Sequence, residues 1–252
     1  MKLVFFCAVA IMCVPVHAGE AKNETLIKNA VANTSRPEED RVRDAGRKPE
    51  EILKFFGVAP GMTIADVFAG SGYYTELMSA VVGPKGTVYM QNNLPWLNFV
   101  GSQVESRLKD NRLPNVKRLN TEAPDLKLPV GKLDLITFFL GFHDLYYSHS
   151  RNWPPIDANH FIAQLYSGLK PGGTLAVVDH AAAANTNSES AQQYHRIDPV
   201  FTRKVIEKAG FVLVKESKML ENPKDGYDIV AYEPSMKGKT DRFVFMFKKP
   251  KK

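Results

Sequence analysis

One stretch, residues 62–75, constrains the fold of this chain more than any other. Its apolar run from Thr63 to Phe68 predicts a short buried strand. The run ends in Ala69-Gly70-Ser71-Gly72, a turn in which missing side chains let the backbone approach a ligand closely. From Tyr73 to Val82 the apolar spacing is helical, so the free N–H groups of the first helical turn point out of the glycine turn. A strand, a glycine turn and a helix start suit a nucleoside cofactor, although two glycines alone fit a structural turn equally well.

The first eighteen residues have the pattern of a targeting segment. Lys2 gives a positive start, Leu3 to Val16 is apolar, and Val16-His17-Ala18 suits cleavage. The apolar run is shorter than the ~20 residues that a membrane span needs, so we expect no stable membrane anchor. We expect export, to the periplasm or as a secreted protein. The predicted division is a signal peptide at residues 1–18, a flexible leader or frayed helix at residues 19–34 and a single domain at residues 35–252.

Cysteine content and charge exclude several functions. Cys7 and Cys13 both lie in the predicted signal peptide, so the mature chain would have no disulfide, thiolate metal site or cysteine nucleophile. The net charge of +6 falls to +5 without Lys2, and residues 248–252 carry part of that excess. A solvated tail explains these lysines, and nucleic acid is not expected as a partner.

Apolar segments alternate with helical ones along the rest of the chain. Such alternation predicts a parallel sheet covered by helices on both faces. Ligands of such sheets bind beyond the carboxyl ends of the strands. The predicted strands are Thr63 to Phe68, Thr87 to Gln91, Val116 to Leu119, Leu133 to Leu140, Thr174 to Asp179, Phe211 to Val214 and Phe243 to Phe247.

Two polar segments have both a structural and a functional interpretation. Residues 35–48 carry dense charge of both signs, which is usual for a solvated helix; alternatively, Asp44, Arg47 and Lys48 cover a cofactor pocket. Residues 221–241 form a long polar excursion between the last two strands. An excursion of that length is more often a functional flap than an idle loop.

Several motifs together resemble class I S-adenosylmethionine-dependent methyltransferases. Residues 66–72 resemble the first motif of these enzymes, residues 169–178 their fifth strand, and residues 209–213 the entry to their sixth strand. The chain also resembles a bacterial group of exported methyltransferase-like proteins. The resemblance implies a Rossmann-like α/β fold with a seven-stranded, mostly parallel sheet, helices on both faces and a reversed last strand. The segments shared with the exported group are residues 47–49, 72–75, 143–146, 195–198 and 241–244.

The resemblance implies S-adenosyl-L-methionine as the cofactor, bound over the ends of the first two strands. The sequence departs from the family pattern at two places. Phe68 stands where the family usually has its first glycine, and Gln91-Asn92 stand where an acid normally accepts both ribose hydroxyls. An amide forgoes the stronger charge-assisted hydrogen bond, which puts the affinity in question. The predicted cofactor-binding residues are Asp66, Ala69, Gly70, Ser71, Gly72, Tyr73, Tyr74, Gln91, Asn92 and Glu122.

Three loops with histidines carry the candidate catalytic residues. His143 and Asp144 follow the fourth strand, where a histidine beside an acid can act as a general base. Alternatively, His143 is structural and Asp144 caps the next turn. Three such loops would also suit a divalent metal, but their spacing is not diagnostic and we predict no metal site. The predicted catalytic residues are His143, Asp144, Tyr146, His180, next to Asp179, and His195, just before Asp198.

The predicted function is S-adenosylmethionine-dependent methyl transfer to a small-molecule acceptor, assisted by the His143–Asp144 pair. Residues 152–155 come too late in the chain for the motif of nucleic-acid amine methyltransferases. Because this cofactor is made in the cytoplasm, the alternative is a non-catalytic ligand-binding protein on a methyltransferase scaffold in the cell envelope. A third hypothesis is metal-dependent hydrolysis by the histidine loops.

Overall fold

The computed structural model describes residues 16–150 and 152–251; most of the predicted signal peptide, residues 1–15, lies outside the described part. Seven strands form one sheet. They are β1 (Thr63–Val67), β2 (Thr87–Asn92), β3 (Val116–Asn120), β4 (Leu133–Phe139), β5 (Leu169–His180), β6 (Val212–Ser217) and β7 (Arg242–Lys248). Their order across the sheet is β3-β2-β1-β4-β5-β7-β6.

Strand directions confirm the predicted fold class. Strands β1 to β5 pair in parallel, whereas β7 runs antiparallel to both β5 and β6. The sheet is therefore mostly parallel with a reversed last strand, as the sequence predicts. One strand begins earlier than predicted: Leu169, rather than Thr174, starts β5, because Leu169 already pairs with Leu133 ahead of an irregularity in the register.

Helices cover both faces of the sheet. They are α1 (Val16–Ala32), α2 (Glu38–Arg47), α3 (Pro49–Phe55), α4 (Tyr73–Val82), α5 (Leu94–Leu108), α6 (Ala158–Gly168), α7 (Glu189–Tyr194) and α8 (Pro199–Lys208). Strand β7 shows how the core divides: Phe243, Phe245 and Phe247 join the cluster that includes α6 and α8. Val244 and Met246 join the opposite cluster, which includes α1, α3 and α4. Because both faces are covered, the central strands are apolar on both sides.

The predicted flexible leader, residues 19–34, is helical in the structure through Ala32. Ile27 and Ala30 are buried in the cluster with α3 and α4, and the Asn23 Nδ2 donates to the Val58 carbonyl at 2.9 Å. Three apolar side chains in this polar segment, at positions 27, 30 and 31, suffice for one buried helix face. None of the described helices has the length and hydropathy that crossing a bilayer requires.

Candidate functional site

The candidate site lies where β1, β4 and β5 end. In a sheet of this order, the chain runs from β1 outwards to β2 and β3 and then crosses back to β4 on the other side of β1, so a crevice opens between the ends of β1 and β4. Three segments meet there: the turn at residues 68–72 after β1, a 3₁₀ turn, His143–Tyr146, after β4, and His180 at the end of β5.

Left-handed backbone shapes the turn after β1. Gly70 and Gly72 have φ of +58° and +87°, and Phe68 has φ +50°, which is rare for an aromatic residue. Aromatic packing stabilises this conformation, because the Phe68 ring contacts Phe138, Trp153 and Phe161. A side chain on Gly72 would clash with Met90 and Arg107, whereas one on Gly70 would meet only Trp96, at 3.9 Å. Gly70 therefore leaves free space beside Trp96, where a side chain would otherwise lie.

Asp66 stabilises this turn through the hydrogen bonds of its carboxylate. Its carboxylate accepts hydrogen bonds from the Thr75 hydroxyl at 2.6 Å and the Thr137 hydroxyl at 2.7 Å. Burial raises the pKa of Asp66 to about 6, although both hydroxyls lower it. Of the two sequence interpretations, fixing the turn or contacting the cofactor, the geometry shows the first.

The two amides at the end of β2 also bind the protein itself. The Asn92 side chain accepts from Gly70 N and donates to Gly70 O, both at 2.9 Å. Gln91 Oε1 accepts from Phe68 N at 3.2 Å, and its Nε2 donates to Thr121 O at 2.8 Å. Both side chains are fully buried in this loop network. They hold the turn in place rather than present free acceptors to a ribose.

The remaining predicted cofactor residues take several positions around the turn. Ala69 N donates to Gln91 O, and Ser71 O accepts from Arg107. Glu122 Oε1 accepts from Leu94 N at 2.9 Å, at the start of α5. A contact between Glu122 and adenine stays a prediction.

Helix α2 covers the start of α4, where Tyr73 and Tyr74 lie. The Arg47 guanidinium stacks on both rings, 4.6 Å from the centre of Tyr73 and 5.8 Å from that of Tyr74. It also lines a cavity at this end of the sheet. Within the described residues it makes no ion pair, and burial lowers its pKa.

The other two predicted covering residues bond elsewhere. Asp44 bonds Arg36 and Tyr73, and Lys48 donates to the Met219 carbonyl. Of the three predicted covering residues, Arg47 alone faces this cavity.

A cavity of about 630 Å³ opens between these segments. Its floor is formed by His143, Asp144, His180 and His195, and Arg47 and Leu140 lie at one side. Most of the remaining wall is aromatic: Trp96, Phe99, Tyr147, Trp153 and Tyr232. The cavity thus combines an aromatic wall with an ionisable floor.

Two carboxylates contact His143 of the cavity floor. Asp179, at the end of β5, accepts from the His143 backbone N–H and contacts its ring Nδ1, both at 2.8 Å. The other ring nitrogen, Nε2, lies 3.3 Å from Asp144 Oδ1. Burial lowers the pKa of His143, but the two carboxylates outweigh it and raise the pKa to about 9. The structure therefore brings together the predicted His143–Asp144 pair and adds Asp179 to it.

The other predicted catalytic residues differ in position. His195 lines the cavity with its Nδ1 3.8 Å from Asp144 Oδ1. His180 also lies on the floor, its Nδ1 bonded to the Thr240 hydroxyl, and burial together with the nearby charge of His143 lowers its pKa well below the usual value. Tyr146 does not line the cavity: its ring packs against Phe142 and Phe201, and burial raises its pKa to about 12. The neighbouring Tyr147 takes the place predicted for Tyr146.

Sequence reasoning missed most of the aromatic wall. Trp153 lies in a segment that the sequence assigns to a later loop, but the loop folds back, and its indole N–H donates to the Asp144 carbonyl. Tyr232 comes from the predicted flap, residues 221–241, which does cross this edge of the sheet: Ala231 N donates to the Tyr194 carbonyl, and the Tyr232 ring contacts His195. An isolated aromatic residue in a polar loop is the one signal that the sequence offers for such positions.

Comparison with known proteins identifies the family of the chain. A model of the ubiE/COQ5 methyltransferase family matches residues 45–221. A demethylmenaquinone methyltransferase from Listeria welshimeri is 29% identical over 134 residues, which are 52% of this chain and 50% of the relative. A ubiquinone/menaquinone biosynthesis C-methyltransferase, UbiE, from Shewanella pealeana is 28% identical over 166 residues, 66% of this chain and 59% of the relative. The chain spans about half the length of the first of these relatives.

Solved structures agree at the level of the fold. A SAM-dependent methyltransferase from Aquifex aeolicus superimposes with a TM-score of 0.59 at 22% identity, covering 90% of this chain and 98% of that one. Phosphoethanolamine N-methyltransferase 2 from Haemonchus contortus, solved with S-adenosyl-L-methionine, gives a TM-score of 0.58 at 15% identity, covering 81% and 53%.

The strand order is that of the class I, S-adenosylmethionine-dependent methyltransferase fold, as the solved structures agree. More narrowly, the chain belongs to the ubiE/COQ5 methyltransferase family. Membership of the exported bacterial group stays a prediction.

Three features of the site fit this cofactor. Gly70 leaves free space beside the turn, and Arg47 offers a guanidinium without an ion-pair partner among the described residues. The indole N–H of Trp96, beside Gly70, is buried with no acceptor in the part of the chain that the structure describes. A ligand with a carboxylate and several hydrogen-bond acceptors would satisfy both donors.

Proposed function

We propose that this protein transfers a methyl group from S-adenosyl-L-methionine to a small aromatic acceptor that carries a hydroxyl group. The cavity carries the proposal, because it places an aromatic wall directly above an acid–histidine floor, beside the glycine turn. Its volume lies in the range of small-molecule sites, ~300–1,000 Å³. The relatives' names support this acceptor, since a quinone in its reduced form is a hydroxylated aromatic ring.

When bound, S-adenosyl-L-methionine supplies an electrophilic methyl group. Arg47 would pair with the carboxylate of its methionine part, and Gly70 leaves room for the chain of the cofactor to pass. The Trp96 indole N–H would donate a hydrogen bond at the same edge. Gln91 and Asn92 contribute indirectly, because they fix the turn on which the cofactor lies.

Asp144 and His143 would assist the transfer by handling the proton of the acceptor. Asp144 Oδ2 is buried without a hydrogen-bond partner among the described residues, and can take the hydroxyl proton. Loss of that proton leaves the hydroxyl oxygen and its ring electron-rich as the methyl group is attached. His143, held by Asp179, balances the charge of Asp144. The aromatic wall orients the ring and excludes water.

One observation favours the alternative of a non-catalytic binding protein. Both amides at the end of β2 are engaged with the protein, so the usual charged ribose contact has no substitute there. A weakly binding scaffold that retains the aromatic cavity would have this arrangement. Export, which we also propose from the first eighteen residues, would favour it further.

Calorimetric titration of the full chain with S-adenosyl-L-methionine tests both possibilities. Gly70→Asp should abolish saturable binding, because it places a carboxylate in the crevice. Gly131→Asp is the matched control, since Gly131 has a similar φ of +62° but lies exposed in the turn before β4. Wild type and control should bind alike.

Transfer of a labelled methyl group to a panel of hydroxylated aromatic compounds then tests the acceptor. Asp144→Asn should keep cofactor binding and slow transfer by about 10²-fold or more. Absence of cofactor binding by the folded wild type would overturn the methyltransferase proposal. Saturable binding of an aromatic compound by such a protein would then support the non-catalytic alternative.

A further inference from the structure

His143, Asp144 and His195 converge on one point of the cavity floor. One ligand atom from each lies within 4.8 Å of the others. Asp144 Oδ1 is 3.3 Å from His143 Nε2 and 3.8 Å from His195 Nδ1. Ligands around a tetrahedral zinc ion, with bonds of ~2.0–2.1 Å, lie roughly 3.3 Å apart. The two measured separations therefore approach the edges of such a tetrahedron.

Asp144 provides an independent sign of a missing ligand. Asp144 is 4% exposed, and its Oδ2 has no hydrogen-bond partner among the residues that the structure describes. Buried carboxylate oxygens are nearly always paired, because an unpaired one costs its full desolvation energy. A cation bound at this carboxylate would supply the missing interaction.

Asp179 orients His143 in the way that metal-bound histidines are oriented. It contacts Nδ1 at 2.8 Å and also accepts from the His143 backbone N–H, so the ring is fixed on two sides. Nε2 is thereby directed to Asp144. Histidine ligands of metals almost always bond a carboxylate, a carbonyl or water through their other ring nitrogen.

His195 is the most adjustable of the three. Its side chain is 18% exposed, and its ring lies between Tyr147 and Tyr232, at centre distances of 4.3 and 5.0 Å. Its ring centre lies 5.5 Å from that of His143. The ring contacts meanwhile keep it at the floor of the cavity.

We infer that His143, Asp144 and His195 bind a divalent metal ion, with one coordination position open to the cavity. Two imidazoles and one carboxylate are a ligand set typical of zinc sites in enzymes. Three protein ligands and an open position distinguish such a site from a closed structural one. The aromatic wall would hold the molecule that occupies the fourth position.

The site changes the role of His143 and Asp144, and this step depends on the proposed function. A hydroxyl bound to the metal loses its proton to solvent more easily, because the cation stabilises the resulting oxyanion. With the metal bound, His143 and Asp144 are ligands, and Asp144 no longer takes the proton itself. Asp179 positions the ring in either case.

Titration of the full chain with Co²⁺ and with Zn²⁺, in the absence of cofactor and acceptor, tests the metal site directly. One equivalent of Co²⁺ should produce the visible absorption of a four- or five-coordinate ion, and Zn²⁺ should displace it. His195→Gln and Asp144→Asn should each weaken binding at least about tenfold. His160→Gln is the matched control, because His160 lies exposed on α6 and contacts the Pro124 carbonyl.

The two proposals can fail separately. Equal cobalt binding by wild type, His195→Gln and Asp144→Asn would overturn the site, as would no binding by the folded wild type. His195→Gln keeps this test valid if Asp144→Asn does not fold, since His195 is partly exposed. One-to-one binding that both variants lose supports the site even if no methyl transfer occurs. Methyl transfer by a wild-type protein that binds no metal supports the proposed function and overturns the metal site.

Discussion

Asp66 illustrates how a single buried group connects the site to the stability of the fold. It is 3% exposed, and burial raises its pKa to about 6. An exposed aspartate titrates near ~3.9, so the folded protein binds this proton more tightly than the unfolded chain does. The free energy of unfolding should therefore decrease as the pH rises from about 4 to about 6, and stay lower above that range.

Asp66→Asn should remove this dependence. The amide stays neutral and can still bond the hydroxyls of Thr75 and Thr137, so at pH 7.5 the variant should be more stable than wild type, by up to ~3 kcal/mol. Near pH 4 the difference should almost vanish, because the wild-type carboxyl is then protonated. Urea denaturation at both pH values measures this, and an equal difference at both would contradict the pKa argument.

At the scale of elements, buried ion pairs attach α2 to the sheet. Arg107 on α5 bonds Asp40 of α2 at 2.6 Å and contacts Glu76 of α4. Arg112 adds bonds of 2.6 and 2.8 Å to Glu76. Asp40, Glu76 and Arg107 are all buried. The position of Arg47 above the cavity follows from this attachment.

Arg107→Met should loosen α2, because Asp40 and Glu76 lose their shared buried partner and keep only the more exposed Arg43 and Arg112. Removal of one member of a buried ion pair costs about 3–5 kcal/mol. The matched control is Arg118→Met, since Arg118 pairs with the exposed Glu105 and should contribute at most about 1 kcal/mol. Thermal and urea denaturation compare the two variants. Similar losses in both would show that the buried network carries no special weight.

The sequence predicts elements better than it predicts the contacts between their side chains. The glycine turn and the strands follow from local patterns, and the structure confirms them. The charged run at residues 35–48 could not be assigned, because Asp40 finds its partner 67 residues away, at Arg107. Likewise, the sequence pairs His143 with its neighbour Asp144, but Nδ1 contacts Asp179 of the adjacent strand.

Two further differences between sequence and structure depend on contacts between segments. The sequence selects Tyr146 as catalytic, yet successive residues of a 3₁₀ turn point about 120° apart, and only packing decides which of them faces the cavity. Gln91 and Asn92 occupy the positions of cofactor ligands, but their amides bond the neighbouring turns. A pattern therefore locates a candidate site, whereas the roles of individual residues depend on contacts between distant segments.

At the scale of the whole molecule, the excursion at residues 221–241 completes the cavity through one buried arginine. Arg196 is fully buried and bonds both carboxylate oxygens of Asp225, at 2.8 and 3.1 Å. It also donates to the carbonyls of Ile229 and Ala181, at 3.0 and 3.1 Å. These bonds join the excursion to the end of β5, so the position of Tyr232 in the wall depends on them.

Asp225→Asn should open this wall without touching the floor of the cavity. The amide cannot neutralise Arg196, so the variant should lose about 3–5 kcal/mol of stability, the cost of leaving a charge unpaired in the interior. Hydrogen exchange should become faster in residues 222–232, and aromatic acceptors should bind more weakly, while S-adenosylmethionine affinity stays unchanged. Asp228→Asn, an exposed change in the same segment, is the control. Unchanged exchange in Asp225→Asn would mean that packing of the excursion against α7, rather than the Arg196–Asp225 pair, holds the wall in place.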